Sequence, residues 1–162
     1  MEVSVSQSWD DVEAILARRG LVLPRISAPT SVHLPYRRSG SLVMLSGILP
    51  VQPDGTVLRG TFGGDLGDGD REVHGQTLAL TLIATMKAHF GSPEEVTVLE
   101  VLVFVRSTAD YTSHHRVADS FSSLVVDVLG ARAQHARTTI GVPALALGAS
   151  LEARCQLEAT VQ

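Results

Sequence analysis

The sequence is poor in several residue types, and each shortage excludes a class of protein. Its single cysteine, Cys155, cannot form an internal disulfide, so a disulfide-stapled secreted scaffold is excluded. No apolar run approaches the roughly 18 residues of a membrane-spanning helix. The first residues, MEVSVSQSWDD, lack the basic and apolar stretches of a secretory leader. We therefore expect a cytoplasmic protein that has no membrane partner.

Charged and aromatic side chains are also scarce. Charged residues make up 19% of the chain and aromatic residues 4%, whereas a charged fraction of about 25% is usual. The net charge of −4 and the lack of a lysine or arginine run argue against a nucleic-acid partner. Because hydrophobic residues reach 44%, the shortage of charge predicts that part of the surface is hidden against other copies of the chain.

The familiar signatures of nucleotide, metal and hydrolase sites are absent from the sequence. It contains no GxxxxGK[ST] and no GxGxxG after a strand, the two patterns that cradle phosphates. No GxSxG elbow surrounds any serine, and the six histidines include no HxxxH pair. We therefore expect neither a metal nor a cofactor. The adjacent His114 and His115 are interpreted as the start of a solvated helix.

Hydrophobic periodicity and breaker residues predict the order of helices and strands. Ser8, followed by acidic residues, is a candidate N-cap for the first helix, and the glycines at 60–69 indicate a mobile loop. The predicted elements are a helix at 8–19, short strands between 31 and 58, an amphipathic helix at 70–90, a strand at 97–105 covered on both faces, a helix at 111–129, and strands at 136–142 and 148–159.

This order predicts an α+β fold in which two long helices cover one face of a mixed sheet, with an N-terminal helix added. The last strand alternates cleanly, which places Cys155 on its apolar side and Glu152 on its polar side. Neither an internal repeat nor a linker divides the chain. We expect one domain over 1–162, with 1–26 as an N-terminal helix extension and 27–162 as the core.

Two charged residues stand in otherwise apolar strands. Arg137 begins a predicted strand and needs a partner, because an unpaired charge away from water is costly. It either forms a structural ion pair with Glu152 or another acid, or holds a substrate carboxylate with its planar guanidinium. Glu152 is either a solvated residue or, at a subunit contact, a partly desolvated carboxyl suited to proton transfer.

Three segments of the sequence resemble the Rid family, also called YjgF/YER057c/UK114. They are LPYRRSGSLVMLSGILPV at 34–51, VLVFVRSTADYTSHHRVADSF at 101–121 and HARTTIGVPALALGASLEA at 135–153. The third is the most specific, because the family repeats an arginine, a strand, a proline-containing turn and a glutamate at this spacing. Arg137 and Glu152 keep that spacing, and the resemblance covers about residues 27–160. The resemblance is to the longer branch of the family, which was formerly called endoribonuclease L-PSP-like.

The resemblance implies a chorismate-mutase-like fold, a homotrimer, and clefts between subunits that hydrolyse 2-imino or 2-enamino acids to 2-oxo acids and ammonia. In that implied site Arg137 binds the carboxylate of a small 2-imino or 2-oxo acid, and Glu152 places or activates water. Tyr36 lines the cleft, and the backbone of Gly47 approaches the ligand, which a residue without a Cβ permits. No cofactor is implied.

Two departures from the family pattern leave other functions open. The position two after the arginine, often cysteine in the deaminase branch, is Thr139, and an asparagine of the second helix is replaced around His114 and His115. The alternative is a non-catalytic trimer that binds small carboxylates or acts as a regulatory partner. RNA cleavage or translation inhibition, suggested by older names of relatives, is disfavoured by the acidic balance of the chain.

Overall fold

A computed structural model describes residues 7–26 and 32–160. The first helix, α1 (Trp9–Arg18), has the predicted N-cap residue, Ser8. The Ser8 hydroxyl accepts the Asp11 amide at 3.2 Å, and the Asp11 carboxylate accepts the Ser8 amide at 2.9 Å, a reciprocal capping box. Trp9 is buried and donates its indole N–H to the carbonyl of Phe90 at 2.8 Å, which ties the extension to the core. The predicted boundary between the N-terminal extension and the core, between residues 26 and 27, lies at the edge of the described ranges and is not tested.

One mixed sheet forms the body of the fold. Its strands lie in the order β1-β2-β5-β3-β4. The β3 and β4 strands are parallel, and every other neighbouring pair is antiparallel. This confirms the predicted α+β fold with a mixed sheet. The strands are β1 (Tyr36–Ser39), β2 (Leu42–Leu45), β3 (Val96–Arg106), β4 (Ala136–Val142) and β5 (Leu151–Ala159).

Two long helices, α2 (Arg71–His89) and α3 (His114–Leu129), pack together on the same side of this sheet. The apolar stripe predicted for α3 is buried, as its central residue Phe121 illustrates. The prediction of an amphipathic α2 is wrong, because residues 78–86 are all buried. The sheet and α3 cover part of α2, and the segment after β2 covers another part through the Val51 amide, which donates to Thr81 Oγ1 at 3.1 Å.

The two faces of the sheet differ. On the helix side β3 and β5 bury alternate residues, including Val103 and Cys155, and burial raises the pKa of the Cys155 thiol to about 12. The opposite side, here called the open face, carries half-buried or exposed side chains. The prediction that β3 is covered on both faces is therefore wrong within one chain. The open face includes Met44, Glu100, Leu102, Phe104, Thr138, Ile140, Glu152, Arg154 and Gln156.

Candidate functional site

Glu152 and Gly47 meet at one end of the sheet. Ile48, just after Gly47, donates its amide to the carbonyl of Ala153 at 2.8 Å, which holds this backbone against the start of β5. A Cβ on Gly47 would overlap the Glu152 carboxylate. Only glycine therefore lets the chain pass this close to the side chain.

The Glu152 carboxyl is half-buried on the open face. Burial raises its pKa, because the charged form loses hydration. Among the described residues no side chain or amide donates a hydrogen bond to it. Its lone pairs are thus available to a water or a ligand, which is what a proton-transfer group requires.

Arg137 lies on the helix side of β4, beneath α3. Its Nη1 donates to Ser122 Oγ at 2.9 Å and its Nη2 to Asp119 Oδ1 at 2.7 Å. The Arg137 side chain is 22% exposed and that of Asp119 is 58% exposed. The acid that pairs with Arg137 is therefore Asp119 and not Glu152. Nothing in the sequence pattern singled out Asp119 or Ser122 for this role.

A histidine fixes the hydroxyl that Arg137 contacts. His135 Nδ1 lies 2.5 Å from the carbonyl of Ala133, which can only accept, so Nδ1 carries the proton. His135 Nε2 is then the acceptor for Ser122 Oγ, 3.0 Å away. Burial is the main cause that lowers the pKa of His135, which favours this neutral form. Ser122 consequently donates to His135 and accepts from Arg137.

The structure does not bring Arg137 and Glu152 together within one chain. Arg137 is in register with Val101, whereas Glu152 pairs with Phe104, three positions further along β3. Two strand spacings and three residues separate their Cα atoms by about 14 Å. Their side chains also leave opposite faces of the sheet. A small substrate could not contact both groups of the same chain.

The other two predicted site residues lie apart from Glu152. The Tyr36 ring packs against His89, with ring centres 4.9 Å apart, at the start of β1. Thr139 shares the helix side of β4 with Arg137, and its hydroxyl is buried without a hydrogen-bond partner among the described residues. Thr139 is thus the predicted residue nearest to Arg137 along the strand.

A further polar cavity, the His114 cleft, lies at the carboxyl ends of β3 and β4. Its volume is about 280 Å³. His114 Nε2 and Ser107 Oγ are 2.9 Å apart, and the Tyr111 ring stands perpendicular to the imidazole, with centres 5.2 Å apart. The predicted helix start at His114 and His115 is confirmed and His115 is exposed, but His114 is not solvated as expected, because it is half-buried and burial lowers its pKa. The lining residues are Ser107, Thr108, Ala109, Tyr111, His114, Gly141, Val142 and Pro143.

The imidazole of His114 occupies this place because Gly141 has no side chain. A Cβ on Gly141 would overlap the ring. A glycine inside a strand often marks such a close approach. Gly141 was therefore a signal from which the cleft could have been predicted, although no prediction was based on it. Within the described ranges no three histidine, cysteine or acidic side chains group as metal ligands. No helix there is long and apolar enough to cross a membrane.

Comparison with known proteins finds similarity over almost the whole chain. Protein TCP17 of Trypanosoma cruzi is 32% identical over 149 residues, which cover 91% of this chain and 93% of that protein. Protein Atu1372 of Agrobacterium tumefaciens, of unknown function, has a crystal structure that superposes with a TM-score of 0.84 at 28% identity, covering 93% of this chain and 95% of that one. No family model matches the chain.

More distant structures share the fold. A "putative endoribonuclease" from Shewanella oneidensis MR-1 has a TM-score of 0.83 at 23% identity, covering 91% of this chain and 98% of that one. RidA from the Antarctic bacterium Psychrobacter sp. PAMC 21119 has a TM-score of 0.57 at 20% identity, covering 84% and 93%. Helices, sheet and connection order therefore follow a chorismate-mutase-like architecture.

Proposed function

The chain belongs to the Rid family, also called YjgF/YER057c/UK114, and from that membership we propose that it hydrolyses 2-imino or 2-enamino acids to 2-oxo acids and ammonia. The observation that carries the proposal is the Glu152 carboxyl, half-buried, without a hydrogen-bond donor among the described residues and pressed against the backbone of Gly47. A carboxyl with a raised pKa beside an exposed backbone suits the activation of a water molecule.

The proposed reaction needs only a few functional groups of the protein. An imine carbon is already electrophilic, so the site has to orient the substrate, supply water and move protons. Arg137 holds the substrate carboxylate with its planar guanidinium, and Glu152 accepts a proton from the attacking water. The carbon–oxygen bond forms and the nitrogen of the resulting carbinolamine is protonated from solvent. The hydroxyl then loses its proton and becomes the carbonyl of the 2-oxo acid as the carbon–nitrogen bond breaks and ammonia leaves. Tyr36 and Thr139 are assigned to the walls of the cleft.

The site is assigned to a homotrimer in which neighbouring copies supply its two halves. Support comes from the open face, where Phe104 and Leu102 are only half-buried and the Ile140 side chain of the edge strand β4 is 43% exposed. Large apolar side chains and a strand edge left uncovered in one chain favour contact with another. A contact of this kind could place Arg137 of one copy near Glu152 of the next.

The test is direct. We expect the purified protein to accelerate the loss of 2-iminopropanoate generated in situ by an amino acid oxidase. Arg137→Lys and Glu152→Gln should each reduce the rate by on the order of tenfold or more, because lysine cannot hold a carboxylate with two prongs and an amide cannot accept the proton. Failure of the unmodified protein to exceed the buffer rate with several side chains would contradict the proposal.

The second candidate is a trimer that binds small carboxylates without turnover. The observation that favours it is that Arg137 and Glu152 of one chain lie about 14 Å apart on opposite faces of the sheet, so a carboxylate held by Arg137 is out of reach of Glu152. Calorimetry with 2-oxobutanoate would then show binding that Arg137→Ala abolishes, while no imine is consumed. RNA cleavage remains the least favoured function, since the chain carries a net charge of −4 and no basic run.

A further inference from the structure

Asp119 is the feature of the candidate site that the proposed function leaves unexplained. Its carboxylate contacts the very guanidinium that is assigned to the substrate carboxylate, at 2.7 Å from Arg137 Nη2. No hydrogen bond within the described ranges reaches its second oxygen, Oδ2, and the side chain is 58% exposed. A ligand that reaches Arg137 therefore also meets a free carboxylate oxygen.

The rest of the contact keeps the two charges in place. Ser122 accepts from Arg137 Nη1 at 2.9 Å and is itself oriented by His135, so one prong of the guanidinium is fixed independently of Asp119. Two bonds leave three of the five guanidinium N–H groups for another acceptor. Arg137 can thus bind a carboxylate while Asp119 remains beside it.

The charge of the pair decides which ligand fits. Arg137 and Asp119 together are neutral, so a 2-oxo acid brings a second carboxylate next to Asp119 and is repelled by it. A 2-imino acid protonated on nitrogen carries a carboxylate and a positive charge on adjacent carbons. It can place the first against Arg137 and the second against Asp119, and both contacts are favourable.

We propose that Asp119 is a specificity-determining residue that makes the Arg137 site prefer the zwitterionic iminium substrate over the anionic 2-oxo product. The inference rests on the proposed function and names the protonation state of the substrate. It also gives product release a physical cause. Hydrolysis converts the positive nitrogen into a neutral carbonyl, and the remaining anion is then repelled by Asp119.

Two ligands with the same carbon skeleton test this. Calorimetry is run with 2-oxobutanoate, an anion, and with 2-aminobutanoate, a stable zwitterion whose charged nitrogen occupies the same position. We expect Asp119→Asn to tighten 2-oxobutanoate binding by roughly tenfold, the effect of one nearby charge at a partly exposed site. The binding of 2-aminobutanoate should be unchanged or weaker, so the ratio of the two affinities changes.

Asp127→Asn is the matched control. Asp127 lies on the same helix and forms a salt bridge of 3.0 Å with Arg19, and its side chain is 53% exposed. This variant should leave both affinities unchanged. Asp119→Glu retains the charge and should preserve the ratio seen in the unmodified protein. A thermal melt of each variant confirms that it is folded.

The possible results distinguish the role of Asp119 from the assignment of Arg137 as the carboxylate-binding residue. If both ligands bind and Asp119→Asn leaves the ratio of affinities unchanged, the role of Asp119 is wrong while the carboxylate site stands. If neither ligand binds the unmodified protein or any variant, the assignment of Arg137 in the proposed function fails, and the inference fails with it. If Asp119→Asn tightens the binding of both ligands equally, Asp119 only competes for Arg137 and does not distinguish the ligands. That result would also overturn the proposed specificity.

Discussion

Two glycines determine where Glu152 and His114, two polar side chains at the same end of the sheet, can lie. Gly47 lets the backbone pass against Glu152, and Gly141 makes room for the imidazole of His114. Glycine brings no Cβ and costs conformational entropy in regular structure, so its presence at both contacts has a steric reason. In each case the neighbouring side chain would have to move if a methyl group were added.

Gly47→Ala should therefore impair the reaction without unfolding the protein. The new methyl group would push the Glu152 carboxyl away from its position beside the backbone. We expect the rate of 2-iminopropanoate hydrolysis to fall by on the order of tenfold or more, because misplacement of a catalytic group by about 1 Å can cost more than that. Steady-state assays over a range of substrate concentrations measure the effect.

Gly69→Ala provides the control for that variant. A Cβ at Gly69 would meet no atom within 4 Å, and the residue has no positive φ value that would disfavour alanine. Its activity should match that of the unmodified protein. Equal activity of Gly47→Ala and Gly69→Ala would show that the approach of the backbone to Glu152 has no role in the reaction.

At the scale of elements, the sequence predicted what depends on local pattern and missed what depends on neighbours. The N-cap at Ser8 and the alternation that buries Cys155 are local, and both are confirmed. The complete burial of residues 78–86 of α2 was missed because the segment after β2 covers them. The spacing of apolar residues within a helix carries no information about a segment that packs on it from elsewhere in the sequence. The spacing of Arg137 and Glu152 likewise did not reveal that they face opposite ways.

Three histidines connect elements of the fold, and each has a lowered pKa. His74 on α2 lies 2.7 Å from Ser150 Oγ at the start of β5, His114 packs over β4, and His135 contacts Ser122 of α3. Burial is the main cause in all three cases. The unfolded chain therefore binds protons at a higher pH than the folded chain does.

The sign of the resulting pH dependence follows directly. The stabilisation is fully present above the unfolded histidine pKa of about 6.5 and is lost as the pH falls below it. We expect the unfolding midpoint in urea to decrease between pH 7 and pH 5.5. Each histidine can contribute a slope of at most about 1.4 kcal/mol per pH unit. The raised pKa of Glu152 acts in the opposite direction, so single variants are needed to separate the groups.

His74→Gln should reduce the slope of stability against pH, and His115→Gln should reduce it much less. His74 is 7% exposed, and His115 is exposed on the surface of α3. Urea titrations at four or five pH values give the slope, which is independent of any loss of stability common to all pH values. A slope that is the same in both variants and in the unmodified protein would contradict the role of buried histidine.

At the scale of the whole molecule, the scarcity of charge and the open face belong together. A chain with 19% charged residues leaves Phe104, Leu102 and Ile140 only partly covered on one side of its sheet. The helices cannot cover that side, because both pack on the other. In the homotrimer that we propose, contact with further copies covers that side and also brings together the two charged residues that one chain keeps about 14 Å apart.

A site shared between copies predicts that two impaired variants restore each other. Arg137→Ala and Glu152→Gln are each expected to lose activity by on the order of tenfold or more, since every cleft in either homotrimer lacks one group. In trimers formed by co-expression, some clefts combine the intact Arg137 of one copy with the intact Glu152 of its neighbour. Random mixing of equal amounts makes about a quarter of the clefts complete in a cyclic trimer, so activity should recover to about that fraction. Had both groups come from one chain, every cleft would carry a defect, and mixed trimers would remain as impaired as the two parents.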